Sequence, residues 1–214
     1  MSVTYLTQAQ IDFSVAAKRG LRDSYDWHQA VWQAFPGRDG APRDFLTRLD
    51  EQDEAVRLLI VSPREPVRPD WCPTDSWKSK MIPEGFFNKA RYRFKLRVNP
   101  TKKVAVQKPD GTFKTNGRRI PLVKREDLET WLNRKAQHGG FEVEASGVHI
   151  LQEKREYFLK EKTPDTSSKH GLHSSVNIEG ILQVTDPEKF HSTFCQGIGS
   201  AKAFGFGLLV LAPI

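Results

Sequence analysis

Between Arg91 and Val98 the chain reads Arg-Tyr-Arg-Phe-Lys-Leu-Arg-Val, four cations alternating strictly with four apolar side chains. Successive side chains of a β-strand point to opposite faces, so this pattern is that of a strand over Tyr92 to Val98 with one face in a core and a cationic face outward. The strand does not stand alone in its charge. From Lys89 to Arg125 there are thirteen Lys or Arg and one acid, Asp110, whereas Asp39 to Glu54 is predominantly acidic. The net charge of +7 is moderate for 214 residues, and its concentration in one stretch points to a polyanion-binding surface. A solvated, mobile basic loop is the alternative reading of the charge alone.

The elements around this strand set a fold class. Val3 to Leu6 reads as a short first strand, and a helix begins near Ser24, with Trp27, Ala30, Val31, Ala34 and Phe35 at helical spacing and Pro36-Gly37 as its stop. Phe45 to Leu49 and Ala55 to Val61 read as strands. From Pro63 to Pro83 five prolines leave no periodic element, so this stretch is expected to be irregular. After the basic strand comes a loop rich in Lys, Gly and Asn. A helix from about Arg125 to His138 follows, stopped by Gly139-Gly140. Strands are expected from Phe141 to Val148, extending toward Phe158, and from Ser175 to Val184, with Thr163 to His173 as a polar loop between them. Asp186-Pro187 places a capping residue and a first-turn proline at the head of a helix to about Gln196, and Leu208 to Leu211 is the last strand. The second unit therefore runs strand, helix, strand, strand, helix, strand, and the first repeats its first four elements. The expected class is α+β: tandem ferredoxin-like, RRM-like domains with antiparallel sheets, at 1–84 and 85–214.

Several classes drop out. No apolar run approaches the roughly 18 residues of a membrane span, and the start lacks a basic segment followed by a long apolar stretch, so a cytoplasmic protein is expected. Cys72 and Cys195 lie far apart and in no metal-type spacing, so no structural zinc site is expected.

The stretch Gly197-Ile-Gly-Ser-Ala-Lys-Ala-Phe-Gly-Phe-Gly207 joins the last helix to the last strand. Glycines at 197, 199, 205 and 207 permit backbone geometries that a Cβ would block, and with Lys202 the turn could hold phosphates on its N–H groups. It has neither the GK[ST] ending nor the strand-then-helix order of a nucleotide fingerprint. Gly-hydrophobic-Gly, five residues, Gly-hydrophobic-Gly before a hydrophobic strand resembles the loop of the repeat-associated RNA-binding proteins of CRISPR systems. Three more stretches are similar to the CasE endoribonucleases of type I-E systems: Tyr25-Asp-Trp-His-Gln-Ala-Val-Trp-Gln-Ala-Phe-Pro36, Arg43-Asp-Phe-Leu-Thr-Arg48, and Phe94-Lys-Leu-Arg-Val-Asn-Pro-Thr-Lys-Lys103. With Trp131-Leu-Asn-Arg-Lys135, the resemblance spans nearly the whole chain.

That resemblance implies two ferredoxin-like domains and cleavage of precursor CRISPR RNA at the base of each repeat hairpin, with no metal or other cofactor. It also implies retention of the product among the other subunits of a Cascade complex. Metal-free cleavage needs a base near the ribose 2′-hydroxyl, an acid for the departing 5′-oxygen, and positive charge around the phosphorus. The products would be a 2′,3′-cyclic phosphate, or 3′-phosphate, and a 5′-hydroxyl. At about 100° per residue, Tyr25, His28 and Trp32 cluster on one side of the first helix, away from the centre of its apolar stripe. Histidine transfers protons near neutral pH, and the resemblance places the catalytic histidine and its neighbouring tyrosine on His28 and Tyr25. Whether His28 is base or acid stays open, and an ordinary boundary histidine is the other reading of the residue alone. Lys169, with His170 and His173 beside it, is a further catalytic candidate across the domain interface. Arg22, Arg43 and Lys202 are candidates for charge stabilisation and RNA contact. Lys102, Lys103, Lys108, Lys114, Arg118 and Arg119 would grip the hairpin, whose A-form stem is read through phosphates and shape. Gly197, Gly199, Gly205 and Gly207 are expected to approach its backbone. The alternatives are a CRISPR-RNA-binding subunit that does not cut, or a general RNA-binding module, which lacks support because no RNP1-like run occurs.

Overall fold

The first antiparallel sheet contains β1 (Tyr5–Asp12), β2 (Leu46–Glu51), β3 (Ala55–Ser62) and β4 (Lys78–Met81), in the order β2-β3-β1-β4. The computed structural model describes residues 3–38, 40–113, 117–160 and 169–214, with the side chains at 152–160 and 169–172 outside that description. Helices α1 (Phe13–Lys18) and α2 (Ser24–Trp32) make the crossover from β1 to β2. Asp23 starts α2 with a capping box: its carboxylate accepts the Tyr25 and Asp26 N–H groups while Asp26 reaches back to the Asp23 N–H. Such a cap is worth about 1 kcal/mol, and it fixes where the helix begins and therefore which way His28 points.

The second sheet contains β5 (Arg91–Val98), β8 (Phe141–Val143), β9 (His149–Lys160), β10 (Lys169–Val184) and β11 (Leu209–Pro213), ordered β11-β5-β10-β8 with β9 also on β10. Between β5 and β8 come a two-stranded hairpin, β6 (Thr101–Val104) with β7 (Arg118–Pro121), and helix α3 (Arg125–His138); α4 (Pro187–Gln196) joins β10 to β11. Both sheets have the antiparallel ferredoxin-like strand order, the last strand beside the first and the third beside the second, so the fold is a tandem of this α+β unit. The alternation of β5 is borne out: Tyr92, Phe94, Leu96 and Val98 are buried, and Arg91, Arg93 and Lys95 are exposed.

Two cores hold the molecule. Trp27, Ala30, Val31, Ala34 and Phe35, from α2 and the turn after it, pack on one face of the first sheet with Phe45, Leu58, Ile60 and Trp71. Leu46, Leu59 and Val61, on the other face, belong to the core of the second sheet together with Tyr92, Phe94, Leu96, Trp131, Ile178 and Phe190. The first sheet is thus covered on both faces, and the second core reaches across to it.

The structure corrects five expectations. The first strand is longer than Val3 to Leu6 and leads into α1, which has no clear apolar periodicity. The stretch from Pro63 to Pro83 is not wholly irregular, because β4 pairs with β1; it is a half-solvated edge strand without the alternation that marks a core strand. The basic loop after β5 is organised by the β6–β7 hairpin. The expected strand from Phe141 is broken between β8 and β9, and both pieces pair with β10. Residues 169–173, expected in a polar loop, begin β10 and pair with β9. The sequence Lys-His-Gly-Leu-His has no alternation of apolar and polar residues, so it reads as a loop.

Candidate active site

His28 lies in the second turn of α2, half-buried, on the side of the helix that meets the glycine-rich stretch. Its imidazole Nε2 accepts a hydrogen bond from the Trp32 indole N–H at 3.3 Å. The Phe204 ring, centred 6.2 Å away, packs against it from the 3-10 turn Lys202–Phe204. Phe204 also contacts the ring of His173 on β10 at 4.8 Å, and His173 Nδ1 is 2.9 Å from the Asn99 side-chain amide. Burial pushes the pKa of His28 below that of a free histidine, and the nearby Arg43 guanidinium pushes it the same way. His173 is lowered by burial. Tyr25 sits one turn before His28, partly exposed.

Arg43 approaches from the segment before β2. Its guanidinium donates to the Phe45 carbonyl and lies 5.7 Å from the centre of the Phe45 ring. Lys202 donates from Nζ to the Gln196 carbonyl at 2.7 Å. Its pKa is lowered by burial first, then by Arg43 and Lys135. Arg43 and Lys202 line one cavity of about 400 Å3 with Phe45, Cys195 and Gln196. Arg43 thus disfavours charge on both the partly buried Lys202 and the His28 imidazole, so an anion bound among these groups would relieve repulsion. Among the described residues no group of three or more His, Cys, Asp or Glu could hold a metal ion.

The glycine-rich stretch does structural work that its phosphate reading did not include. The N–H groups of Gly197, Ile198, Phe204 and Gly207 donate to Thr193, Gly207, Ala201 and Arg97 carbonyls, so these four are committed inside the fold. Gly197 ends α4 against Leu46, Gly199 lies against Trp131, and Gly205 is buried beside Leu49. At Gly207, φ is +87° and a Cβ would stand 2.6 Å from the Ile198 carbonyl oxygen; at Gly205, φ is +81° and the nearest atom would be 3.8 Å away. Gly207→Ala is therefore expected to cost roughly 2 kcal/mol or more through strain and overpacking together. Gly205→Ala should cost about 1 kcal/mol through strain alone. Urea unfolding midpoints check the order, and equal losses would contradict it.

The remaining predicted residues fall into three groups. Arg22 is exposed just before the cap of α2. Lys102, Lys103, Arg118 and Arg119 are exposed on the β6–β7 hairpin, with Lys108 in its connection, and none of the five pairs with an acid among the described residues. Lys114 and the side chains of Lys169 and His170 lie outside the described residues. The outward cations of β5 are less available than their spacing suggests. Arg91 pairs with Glu144 at 2.6 Å and Lys95 with Glu179 at 2.9 Å. Arg97 donates to Ser175 and to the Leu49 carbonyl and stacks over Phe206, which ties β5 to the first sheet. Sequence reasoning grouped Trp32 with His28 on one side of the helix and missed Phe204 and Asn99 as neighbours of the two histidines. Only Trp32, four residues after His28 on one helix, left a signal in the spacing.

The chain resembles known proteins along nearly its whole length. The family model described as CRISPR associated protein matches residues 4–213. The chain is 31% identical to the CRISPR system Cascade subunit CasE of Escherichia coli (strain K12), across 94% of this chain and 97% of that one. It is 30% identical to the CRISPR-associated endoribonuclease Cse3 of Thermus thermophilus, across 94% and 95% of the two chains. A solved structure of Thermus thermophilus Cse3, bound to an RNA representing a pre-cleavage complex, superposes with a TM-score of 0.70 at 27% identity, covering 99% of this chain and 100% of that one.

Proposed function

The chain belongs to the CasE/Cse3 family of CRISPR-associated proteins, and from that premise we propose that His28 is the proton-transferring residue of its cleavage site. The protein is an endoribonuclease that binds the CRISPR repeat hairpin, processes precursor CRISPR RNA, and works with the other subunits of Cascade. The observation that carries the residue assignment is the placement of His28 against Trp32 and Phe204, within the field of Arg43.

The reaction is a transesterification that needs no metal. The ribose 2′-hydroxyl loses its proton and its oxygen bonds to phosphorus. The bond from phosphorus to the 5′-oxygen breaks, and that oxygen leaves protonated. A 2′,3′-cyclic phosphate and a 5′-hydroxyl result. His28 moves a proton in this step, because a neutral imidazole can accept one near pH 7 at little cost. Arg43 and Lys202 neutralise the charge that builds on the non-bridging oxygens. Tyr25 contacts the scissile phosphate from the same side of α2, and Lys169 is assigned a supporting role there. The exposed hairpin cations and Arg22 hold the stem phosphates, while Gly197, Gly199, Gly205 and Gly207 shape the loop that carries Lys202 and Phe204. No helix among the described residues is long and apolar enough to cross a membrane, and a cytoplasmic location is part of the same proposal.

A repeat hairpin with a 2′-deoxy sugar immediately upstream of the cut should bind within a few-fold of the native RNA and stay intact. Cleavage of that substrate would rule out attack by the 2′-hydroxyl.

A further inference from the structure

The Trp32 indole N–H is a donor with no acceptor capacity. Its 3.3 Å contact with His28 Nε2 therefore requires a lone pair on that nitrogen and leaves the imidazole proton on Nδ1. The donor is itself held in place. Trp32 meets Phe45 edge-on with ring centres 5.0 Å apart, and Phe45 stacks on Phe35 at 4.4 Å in the first core. Protonating Nε2 would set two N–H groups against each other, so the indole opposes the imidazolium by geometry.

We propose that Trp32 is a positioning residue that holds His28 as the neutral Nδ1–H tautomer and delivers Nε2 as the proton acceptor for the ribose 2′-hydroxyl. The proposal rests on the catalytic reading of His28. At 3.3 Å the contact is longer than the roughly 2.9–3.0 Å usual for an N–H donor, so an incoming hydroxyl displaces a weak bond. The 2′-hydroxyl then passes its proton to Nε2, the 2′-oxygen bonds to phosphorus, and the 5′-oxygen departs with its electron pair and takes a proton from water. Among the described residues, the one charged group shown to act on His28 works in the same direction. Arg43 opposes its charge, and Tyr25 lies on the same helix. The 3-10 turn contributes Phe204 and, two residues earlier, Lys202, while β10 places His173 against the same Phe204 ring. Strand β9 also packs on α2, and its side chains from 152 to 160 lie outside the description.

Trp32→Phe keeps an aromatic ring against Phe45 and removes the N–H donor along with part of the indole's volume. In single-turnover cleavage of a repeat hairpin, the acidic limb of its pH–rate profile should move up by roughly half to one pH unit. The rate loss would be small above about pH 8 and about three- to tenfold below about pH 6. Nitrogen-15 NMR of the imidazole in the wild-type protein should report the Nδ1–H tautomer at His28, and Trp32→Phe should lose it. An unshifted acidic limb, a shift of the basic limb instead, or an Nε2–H tautomer in the wild type would each overturn the proposal. The NMR readout on wild-type protein decides the matter even where the variant folds poorly. Because it needs no turnover, it also separates failure of the Trp32 contact from failure of His28 as the catalytic residue, which full activity in His28→Ala would reveal.

Discussion

Replacing His28 by alanine should slow single-turnover cleavage of the repeat hairpin by roughly 10²- to 10⁴-fold, the usual contribution of one positioned general acid or base. Hairpin affinity should stay within a few-fold. The two readouts separate because the residues that move protons and those that hold the stem sit on different elements. His28 is half-buried on α2 between Trp32 and Phe204, whereas the exposed cations belong to the β6–β7 hairpin. Loss of the imidazole leaves Trp32 packed on Phe45, so the helix and its cap should survive, and an unchanged melting temperature within a few degrees confirms it. Full activity in His28→Ala would mean that another group carries the proton, such as His173, which meets the same Phe204 ring.

The second large effect is on binding. Neutralising Lys102, Lys103, Arg118 and Arg119 together should weaken hairpin affinity by at least tenfold to a hundredfold at moderate salt. It should also flatten the dependence of log Kd on log salt, by up to about 0.9 for each RNA phosphate that the protein no longer neutralises. The rate at saturating protein should change little, since the four lie on the β6–β7 hairpin and not on α2 or the turn that carries Phe204. An unchanged salt slope would show that the RNA is gripped elsewhere, and the outward face of β5 is then a poor substitute. Arg91 and Lys95 there are already paired with Glu144 and Glu179.

The parts of the fold that were legible in the sequence are those with one face in a core. β5, α2, α3 and α4 announce themselves through alternation, helical spacing and capping residues, because burial of one face demands that pattern. β4, the β6–β7 hairpin and the start of β10 were not legible. β4 and the β6–β7 hairpin bury little, so their composition is set by solvent and reads as loop, and the start of β10 lacks apolar alternation in its sequence. The same logic applies to the site. His28 and Tyr25 were visible through a motif on a well-patterned helix. The contacts of Phe204 with His28 and His173, 176 and 31 residues apart in the sequence, exist only once the two sheets share a core. The glycines were visible as an unusual spacing, yet the reason for one of them, the 2.6 Å approach at Gly207, needed the backbone of Ile198 in place.

The most direct measurement is incubation of the purified protein with its repeat hairpin in EDTA, followed by analysis of the RNA ends. The account predicts one cut at the base of the stem, leaving a 2′,3′-cyclic phosphate, or the 3′-phosphate derived from it, and a 5′-hydroxyl. An intact hairpin, or cleavage that appears only when a divalent metal is restored, would contradict it.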